Sequence, residues 1–245
     1  MEKHTFSVWS PQLRNRRAID VYLPPSYRDG RQRYPVIYLQ DGQNLSDPSI
    51  AFGGTTWQLE SALERLARGG IEAIAVGIHN AGDARLAEYS PFLDARHGGG
   101  AGDRYLSFVI DTIKPRIDRR YRTDRRREAT AIAGSSMGAL ISLYAFFAAP
   151  RVFGRVAAFS PSLWFGSRRV LEFVEAARPP DGRIYLDAGT AEGAETVRDA
   201  RRLARVLRRK GYSKATLRYL EAERQRHTEA DWARRLPGAL DFLLR

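Results

Sequence analysis

The sequence predicts an α/β fold with a mostly parallel central sheet, helices on both faces and an antiparallel hairpin at the N-terminal end. Short apolar runs rich in β-branched residues alternate along the chain with segments whose apolar residues recur at helical spacing. The first two strand-like segments are separated only by a turn. The 245 residues are 43% hydrophobic, which is enough for the core of one domain spanning residues 1–245.

The N-terminal hairpin is predicted from residues 5–9 and 17–23, which have the composition of strands. A turn near residues 11–15 joins the two segments. Pro24 and Pro25 end the second strand, because proline cannot donate to a sheet hydrogen bond. We therefore expect these strands to pair antiparallel.

Six further strands are predicted from short apolar runs. Residues 35–40 (PVIYLQ) are almost wholly apolar and lead into the turn signal DGQN, which is typical of a strand covered on both faces. The remaining runs are residues 73–78, 129–133, 156–159, 183–186 and 215–220. Strands of this kind, separated by helices, form parallel sheets.

Six helices are predicted between and after these strands. Gly69 and Gly70 end the first helix, a glycine-rich loop at residues 98–102 precedes the second, and Pro115 interrupts the second near its end. The helical segments are residues 56–68, 105–117, 139–149, 168–177, 196–210 and 230–244. No repeat or linker marks a second domain.

The chain is strongly basic, with a formal charge of +12 and a pI near 10.3. Its arginines are spread along the chain, and apolar or acidic residues interrupt the local runs at residues 14–17, 116–127 and 198–209. This distribution is typical of a solvated surface, so we expect no nucleic-acid partner. The absence of cysteine excludes disulfides, a thiolate nucleophile and cysteine-ligated metals. We expect no metal or cofactor.

Charges interrupt every hydrophobic run, so the sequence predicts no membrane span. The first seventeen residues, MEKHTFSVWSPQLRNRR, contain no apolar segment followed by a small-residue cleavage site. We therefore expect a cytoplasmic protein, or a secreted one if a signal peptide has been removed. Nothing in the pattern indicates an oligomeric state.

The strongest chemical signal is the segment Gly134-Ser135-Ser136-Met137-Gly138, which matches G-x-S-x-G between a predicted strand and a predicted helix. A serine on such a sharp turn needs small neighbours, and the two glycines provide them. The helix that follows directs its amide end at the site, with the N–H of Met137 as one oxyanion donor. Ser136 is the predicted nucleophile.

A serine nucleophile needs a base that accepts its proton. Of the four histidines, only His227 follows the serine in the chain. In the α/β-hydrolase chain order the base comes last, between the final strand and the closing helix, and His227 occupies that place. The order of nucleophile and base therefore predicts an α/β-hydrolase fold with His227 as general base.

The acid that orients the histidine is expected after the penultimate strand. Glu192 is the preferred candidate, because Asp187 belongs to the strand end and Asp199 to the following helix. Glu192 could instead be a helix N-terminal charge that complements the dipole. Asp187 and Asp199 stay open as alternatives.

The second oxyanion donor is expected in the turn after the first buried strand. The segment Leu39-Gln40-Asp41-Gly42-Gln43-Asn44 exposes backbone there, and the N–H of Gln43 is the preferred donor. Asp41 could brace this turn through local hydrogen bonds or serve only as a turn residue.

Nine ordered segments together resemble the putative-esterase family of α/β-hydrolases, also called esterase D-like, which includes siderophore and feruloyl esterases. The resemblance covers nearly the whole chain. The segments are YLQDGQNLSDP, FGGTTWQLE, VGIHN, EYSPF, YLSFVIDTIKPRIDRRYRT, AIAGSSMGALISLYAFF, VFGRVAAFSPSLWF, IYLDAGTAEG and RHTEADWARRLPGAL.

The resemblance implies a Ser-acid-His triad formed by Ser136, Glu192 and His227. It also implies oxyanion donors at Met137 and Gln43. It also implies that the acyl or alcohol pocket is lined by Trp57, Trp164 and Phe165, although buried aromatic residues can equally belong to the core. Two positions depart from the family pattern: Gln40 where histidine is common, and Ala139 where glycine is common. Both affect the expected substrate range more than the reaction.

The predicted function is hydrolysis of a small-molecule or oligomeric carboxylic ester through an acyl-enzyme. One alternative keeps the same triad but transfers the acyl group to an alcohol, which requires a cleft that excludes water. Another is a basic binding module with a hydrolase fold and no turnover. Labelling of the serine by a fluorophosphonate separates the last alternative from the first two.

Overall fold

The computed structural model describes residues 1–245 and is built around an eight-stranded sheet. We number its strands β1 to β8 along the chain and its helices α1 to α8. The strands are β1 Glu2–Ser10, β2 Asn15–Leu23, β3 Val36–Gln40, β4 Ile74–Ile78, β5 Thr130–Ser135, β6 Arg155–Phe159, β7 Arg183–Gly189 and β8 Leu217–Ala222. The helices are α1 Leu59–Arg68, α2 Arg85–Glu88, α3 Gly102–Ser107, α4 Lys114–Arg120, α5 Met137–Ala148, α6 Arg169–Ala176, α7 Ala194–Arg209 and α8 Glu229–Leu244.

The strands lie in the order β1-β2-β4-β3-β5-β6-β7-β8. The first two form an antiparallel hairpin, and β2 pairs antiparallel with β4. Every other pair in the sheet is parallel. The predicted fold, a mostly parallel sheet with an antiparallel N-terminal hairpin, is therefore confirmed. A separate two-stranded ribbon pairs Leu93–Asp94 with Gly98–Gly99, and its second strand lies in the predicted glycine-rich loop.

Helices cover both faces of the sheet because successive residues of a buried strand point to opposite sides. In β3, Tyr38 joins the core that contains apolar residues of α5 and α7. Its neighbours Ile37 and Leu39 join the core that contains apolar residues of α1 and α8. This explains why the inner strands β3 and β4 are nearly continuous apolar runs without alternation, whereas the edge strand β8 has exposed residues.

The helical segment predicted at residues 105–117 is longer in the structure and extends from α3 to the end of α4. Between these helices, Phe108–Ile113 forms a π-helical turn, and Pro115 lies in the first turn of α4. Proline lacks an N–H and its ring crowds the carbonyl four residues earlier, a conflict that a wider turn relieves. The chain therefore continues as a helix beyond Pro115 for five more residues.

The parallel strands bring distant parts of the sequence to one edge of the sheet. The carboxyl ends of the neighbouring strands β3, β5, β6 and β7 lie along this edge in that order. Loops that follow such strand ends are where open α/β sheets place their ligands. No helix in the structure is both long and apolar enough to cross a membrane.

Candidate active site

Ser136 occupies a sharp turn between β5 and α5, as the G-x-S-x-G segment predicts. Its backbone has φ 55° and ψ −121°, a region that residues other than glycine rarely adopt. The surrounding hydrogen bonds hold it there, since its N–H donates to the carbonyl of Phe159 and its own carbonyl accepts from the N–H of Ser162. Such a turn lifts the side chain out of the sheet towards solvent.

The glycines on either side of Ser136 are required by close packing. A Cβ at Gly134 would lie 2.6 Å from the backbone of Gly138, and a Cβ at Gly138 would lie 2.9 Å from the side chain of Gln40. Atoms cannot approach so closely without displacing the strand or the helix. The predicted need for small residues at these two positions is therefore explained by contact between β5, α5 and the end of β3.

Ser136 and His227 line the same cavity, which has a volume of about 460 Å³. The hydroxyl of Ser136 lies 3.0 Å from the hydroxyl of Ser162, and this contact, not one with His227, is its side-chain hydrogen bond. Hydrogen bonds between a nucleophile and its base are often long before substrate binds.

His227 lies just before α8 and its side chain is 42% exposed. Its Nδ1 is 2.9 Å from Oε2 of Glu192, which follows β7. The ring also packs edge-on against Trp232 at a centroid distance of 4.9 Å. Because Nδ1 is engaged by the carboxylate, the ring nitrogen that is free to accept a proton is Nε2.

The carboxyl of Glu192 is surrounded by donors. Burial by itself would raise its pKa, but hydrogen bonds from His227, Ser160 and the N–H of Gly189 outweigh burial, so the pKa lies below its ordinary value. The two alternative acids make other contacts. Asp187 lies inside β7 and accepts from the N–H of Ser160, and Asp199 lies in α7 and pairs with Arg168.

The two residues predicted as oxyanion donors lie at the starts of neighbouring helical turns. Met137 begins α5, where the first amides of a helix have no acceptor within the helix. Gln43 lies in the single helical turn Gly42–Asn44 that follows β3, and its side chain lines the cavity. Asp41, directly before this turn, has φ 54° and ψ 51°. Gln43 therefore lines the cavity, and Met137 directly follows the cavity residue Ser136.

Arg85, in α2, fixes the conformation of Asp41 and was not identified from the sequence. Its Nε and Nη2 donate to the two carboxylate oxygens of Asp41, each at 2.7 Å. Asn80 adds a third hydrogen bond to the same carboxylate at 2.7 Å. Burial alone would lower the pKa of Arg85, but the hydrogen bonds to Asp41 outweigh it and the pKa is raised. The carboxylate of Asp41 is therefore held by long-range hydrogen bonds and not by the local ones that the sequence predicts.

The apolar residues at the cavity differ from those implied by the family resemblance. Trp57 and Phe165 are buried, with exposures of 1% and 0%, and belong to the two cores, while Trp164 is half exposed and packs against His97. None of these three lines the cavity. Its apolar wall is formed instead by Ile50, Phe52 and Trp232.

Sequence reasoning missed Ile50 and Phe52 because single exposed side chains in a loop carry no periodic signal. Ile50 is 51% exposed and Phe52 is 76% exposed, and Gly53 and Gly54 follow them with positive φ angles. The other cavity residues that the sequence did not identify are Gly82 and the polar residues Asn80, Arg85 and Glu229.

A comparison of the sequence with known protein families identifies the family of this chain. The profile of the family described as "Putative esterase" matches residues 10–243. The chain belongs to this family. The resemblance inferred from the nine segments is therefore confirmed, and the protein is an esterase.

Two relatives and a solved structure illustrate its place in the putative-esterase family. The uncharacterized protein YbbA of Bacillus subtilis is 28% identical over 214 residues, which cover 82% of each chain. A siderophore triacetylfusarinine C esterase of Aspergillus fumigatus is 32% identical over 168 residues, covering 64% of this chain and 55% of the relative. The crystal structure of the BES protein from Bacillus cereus superposes with a TM-score of 0.81 at 21% identity, covering 99% of this chain and 95% of the other.

Proposed function

We propose that this esterase hydrolyses carboxylic esters through an acyl-enzyme formed on Ser136, with His227 as general base and Glu192 as the acid that orients it. The observation that carries the proposal is that a strained serine at the β5–α5 turn shares a cavity with a histidine whose Nδ1 is 2.9 Å from a carboxylate. A nucleophile, a base and an orienting acid are the groups that acyl transfer requires.

Each residue has a defined part in the proposed reaction. Nε2 of His227 takes the proton as the Ser136 oxygen attacks the carbonyl carbon, and returns it to the departing alcohol. The N–H groups of Met137 and Gln43 donate to the oxyanion. Water then attacks the acyl group with His227 again as base, which releases the acid and restores the serine. Glu192 stabilises the imidazolium that forms in both steps.

Hydrolysis is favoured over acyl transfer by the openness of the site. The side chain of His227 is 42% exposed, so solvent water reaches the proposed base directly. Acyl transfer to an alcohol needs exclusion of water from the acyl-enzyme. The cavity of about 460 Å³ fits a small ester, or one ester unit of an oligomeric substrate whose remainder extends over Ile50 and Phe52.

A labelling and turnover experiment tests the proposed function. The purified protein is treated with a fluorophosphonate probe, and its modified peptide is identified by mass spectrometry. In parallel, nitrophenyl esters of increasing acyl length and aromatic esters are assayed. We expect one label, on Ser136, and turnover that is lost in proportion to labelling. Turnover that survives complete labelling of Ser136 would contradict the proposal.

Replacement of Arg85 by methionine tests whether the brace on Asp41 supports the oxyanion turn. We expect kcat to fall about tenfold to a hundredfold, somewhat less than direct removal of an oxyanion donor, because the N–H of Gln43 loses its fixed direction. KM should change little, since the expected loss affects mainly the transition state. Steady-state kinetics on a short-chain nitrophenyl ester measures both quantities.

Arg201→Met is the matched control for Arg85→Met. Arg201 makes a similar two-pronged pair with Glu221, at 2.7 and 2.6 Å, between α7 and β8. Neither residue of that pair lines the cavity of Ser136. We expect Arg201→Met to retain the kcat of the unmodified enzyme. Equal kinetics for the two variants would show that Arg85 does not support the reaction.

A further inference from the structure

Next to Glu192 lies a buried polar cluster that the proposed reaction does not use directly. It contains Ser160, which directly follows β6, Asp187 from β7, and Trp232 and Arg235 from α8, of which only Trp232 also lines the cavity. Ser160 and Asp187 are 0% exposed, and Arg235 is 5% exposed. Buried polar side chains are costly unless they are paired, so each contact in this cluster calls for a physical explanation.

The contacts converge on Ser160. Nε1 of Trp232 donates to its hydroxyl oxygen at 3.0 Å, and Nη2 of Arg235 donates to the same oxygen at 3.2 Å. With two donors on its oxygen, the hydroxyl proton of Ser160 is directed to Oε1 of Glu192, 2.5 Å away. The opposite oxygen, Oε2, is the one that meets His227. The orientation of the carboxylate is therefore fixed by Ser160.

Ser160 itself is held in an unusual conformation. Its φ is 44°, in the left-handed region that non-glycine residues rarely adopt. Its N–H is bonded to both the side chain and the main chain of Asp187, at 2.9 and 3.2 Å. Strain of this kind persists only where the surroundings enforce it. Here Asp187, Arg235 and Trp232 enforce it together.

Arg235 also supplies the only positive charge placed between two buried carboxyl groups. Its Nη1 is 3.3 Å from Oδ1 of Asp187, and its Nη2 is 3.7 Å from Oε1 of Glu192. Burial raises the pKa of Asp187 to about 6, although Arg235, the N–H of Ser160 and the hydroxyl of Tyr185 all oppose the rise. Without Arg235, two carboxylates would face each other with no counter-charge.

We propose that Arg235 is a positioning residue: through Ser160 it holds Glu192 in the orientation that serves His227, while Asp187 is the counter-charge that lowers the cost of burying the guanidinium. The proposal rests on the proposed function, because it assigns a task to Arg235 only if Glu192 serves the base. It extends the triad to a fourth side chain, carried on the helix that directly follows His227.

The hydrogen bonding of Arg235 indicates that packing alone does not account for it. The hydrogen bond that its guanidinium donates goes from Nη2 to Ser160, while Nη1 meets Asp187 only as an ion pair. Replacement of a buried ion pair by apolar side chains is often neutral or stabilising, whereas removal of one partner leaves an uncompensated charge. If the Arg235–Asp187 pair is purely structural, replacement of both residues together should leave the enzyme intact. If Arg235 positions Glu192, activity should stay low, because Ser160 loses its donor whether or not Asp187 is also replaced.

A double-variant cycle separates these two roles. Arg235→Met, Asp187→Asn and the combined variant are compared with the unmodified enzyme in melting temperature, kcat and KM. We expect Arg235→Met to lower the melting temperature, because Asp187 is left buried without a counter-charge. The combined variant should recover most of that loss. Its kcat should stay about tenfold to a hundredfold below the unmodified enzyme with KM unchanged, since Glu192 is displaced. Recovery of kcat together with the melting temperature would overturn the proposal.

A second measurement needs no turnover. In the Ser136→Ala background, the low-field proton resonance of His227 Nδ1 reports its hydrogen bond to Glu192, and His227→Gln assigns it by its disappearance. We expect the resonance to persist with Asp187→Asn and to be lost when Arg235→Met is added. An unchanged resonance in that variant would show that Arg235 does not position Glu192. This readout decides the role of Arg235 even if Ser136 is found not to be the nucleophile.

Discussion

Replacement of Ser136 by alanine is expected to lower kcat/KM for a short-chain nitrophenyl ester by a factor on the order of 10⁴ to 10⁶. The alanine removes the only atom proposed to bond to the acyl group, while Met137, Gln43 and the cavity remain. Residual activity is expected from the oxyanion donors alone. The melting temperature should change little, because the side chain makes only one hydrogen bond, to Ser162.

Ser135→Ala is the matched control for this prediction. Ser135 is the last residue of β5 and lines the same cavity, and its hydroxyl makes no hydrogen bond to another protein group. Ser135→Ala thus removes a hydroxyl oxygen from the residue directly before Ser136. We expect the control to keep its activity within a few-fold of the unmodified enzyme. A similar loss in both variants, or none in Ser136→Ala, would place the nucleophile elsewhere.

Most of the fold could be predicted from local patterns. A strand buried on both faces has a continuous apolar run, and each of the six predicted parallel strands overlaps an observed one. The extent of the helix through Pro115 could not be predicted, because the π-helical turn that accommodates the proline depends on the packing of Phe108, Val109 and Ile113 in the core. The ribbon at Leu93–Asp94 is too short to give a pattern.

The candidate site, like the fold, contains residues that local patterns predict and residues that they do not. Ser136, His227 and Glu192 were selected because chain order and turn chemistry constrain where such residues can lie, and the structure brings His227 and Glu192 into contact. Arg85 lies 44 residues from Asp41, and Arg235 lies 43 residues from Glu192. Their roles depend on long-range contacts that no local pattern reports. The aromatic residues Trp57 and Phe165 were placed at the pocket although nothing in a single sequence separates a pocket wall from the core.

Replacement of Glu192 by glutamine is expected to lower kcat by a factor on the order of 10⁴. Glutamine preserves the size of the side chain but removes the charge that stabilises the imidazolium, and its amide can donate to Nδ1 and so favour the wrong tautomer of His227. KM should stay nearly constant, because the charge is needed mainly in the transition state. Steady-state kinetics measures this split, and the melting temperature checks that the fold is retained.

Asp187→Asn and Asp199→Asn are the matched controls, because each removes one of the alternative acids. Asp199, on α7, accepts a hydrogen bond from Nε of Arg168 at 2.8 Å. Asp187 is connected to Glu192 only through Ser160 and Arg235. We expect each control to keep kcat within a few-fold of the unmodified enzyme. If Asp187→Asn lost activity as severely as Glu192→Gln, the acid would belong to β7 and not to the loop after it. The contact between Nδ1 of His227 and Oε2 of Glu192 at 2.9 Å argues for the loop, since neither alternative carboxylate makes a hydrogen bond to the imidazole.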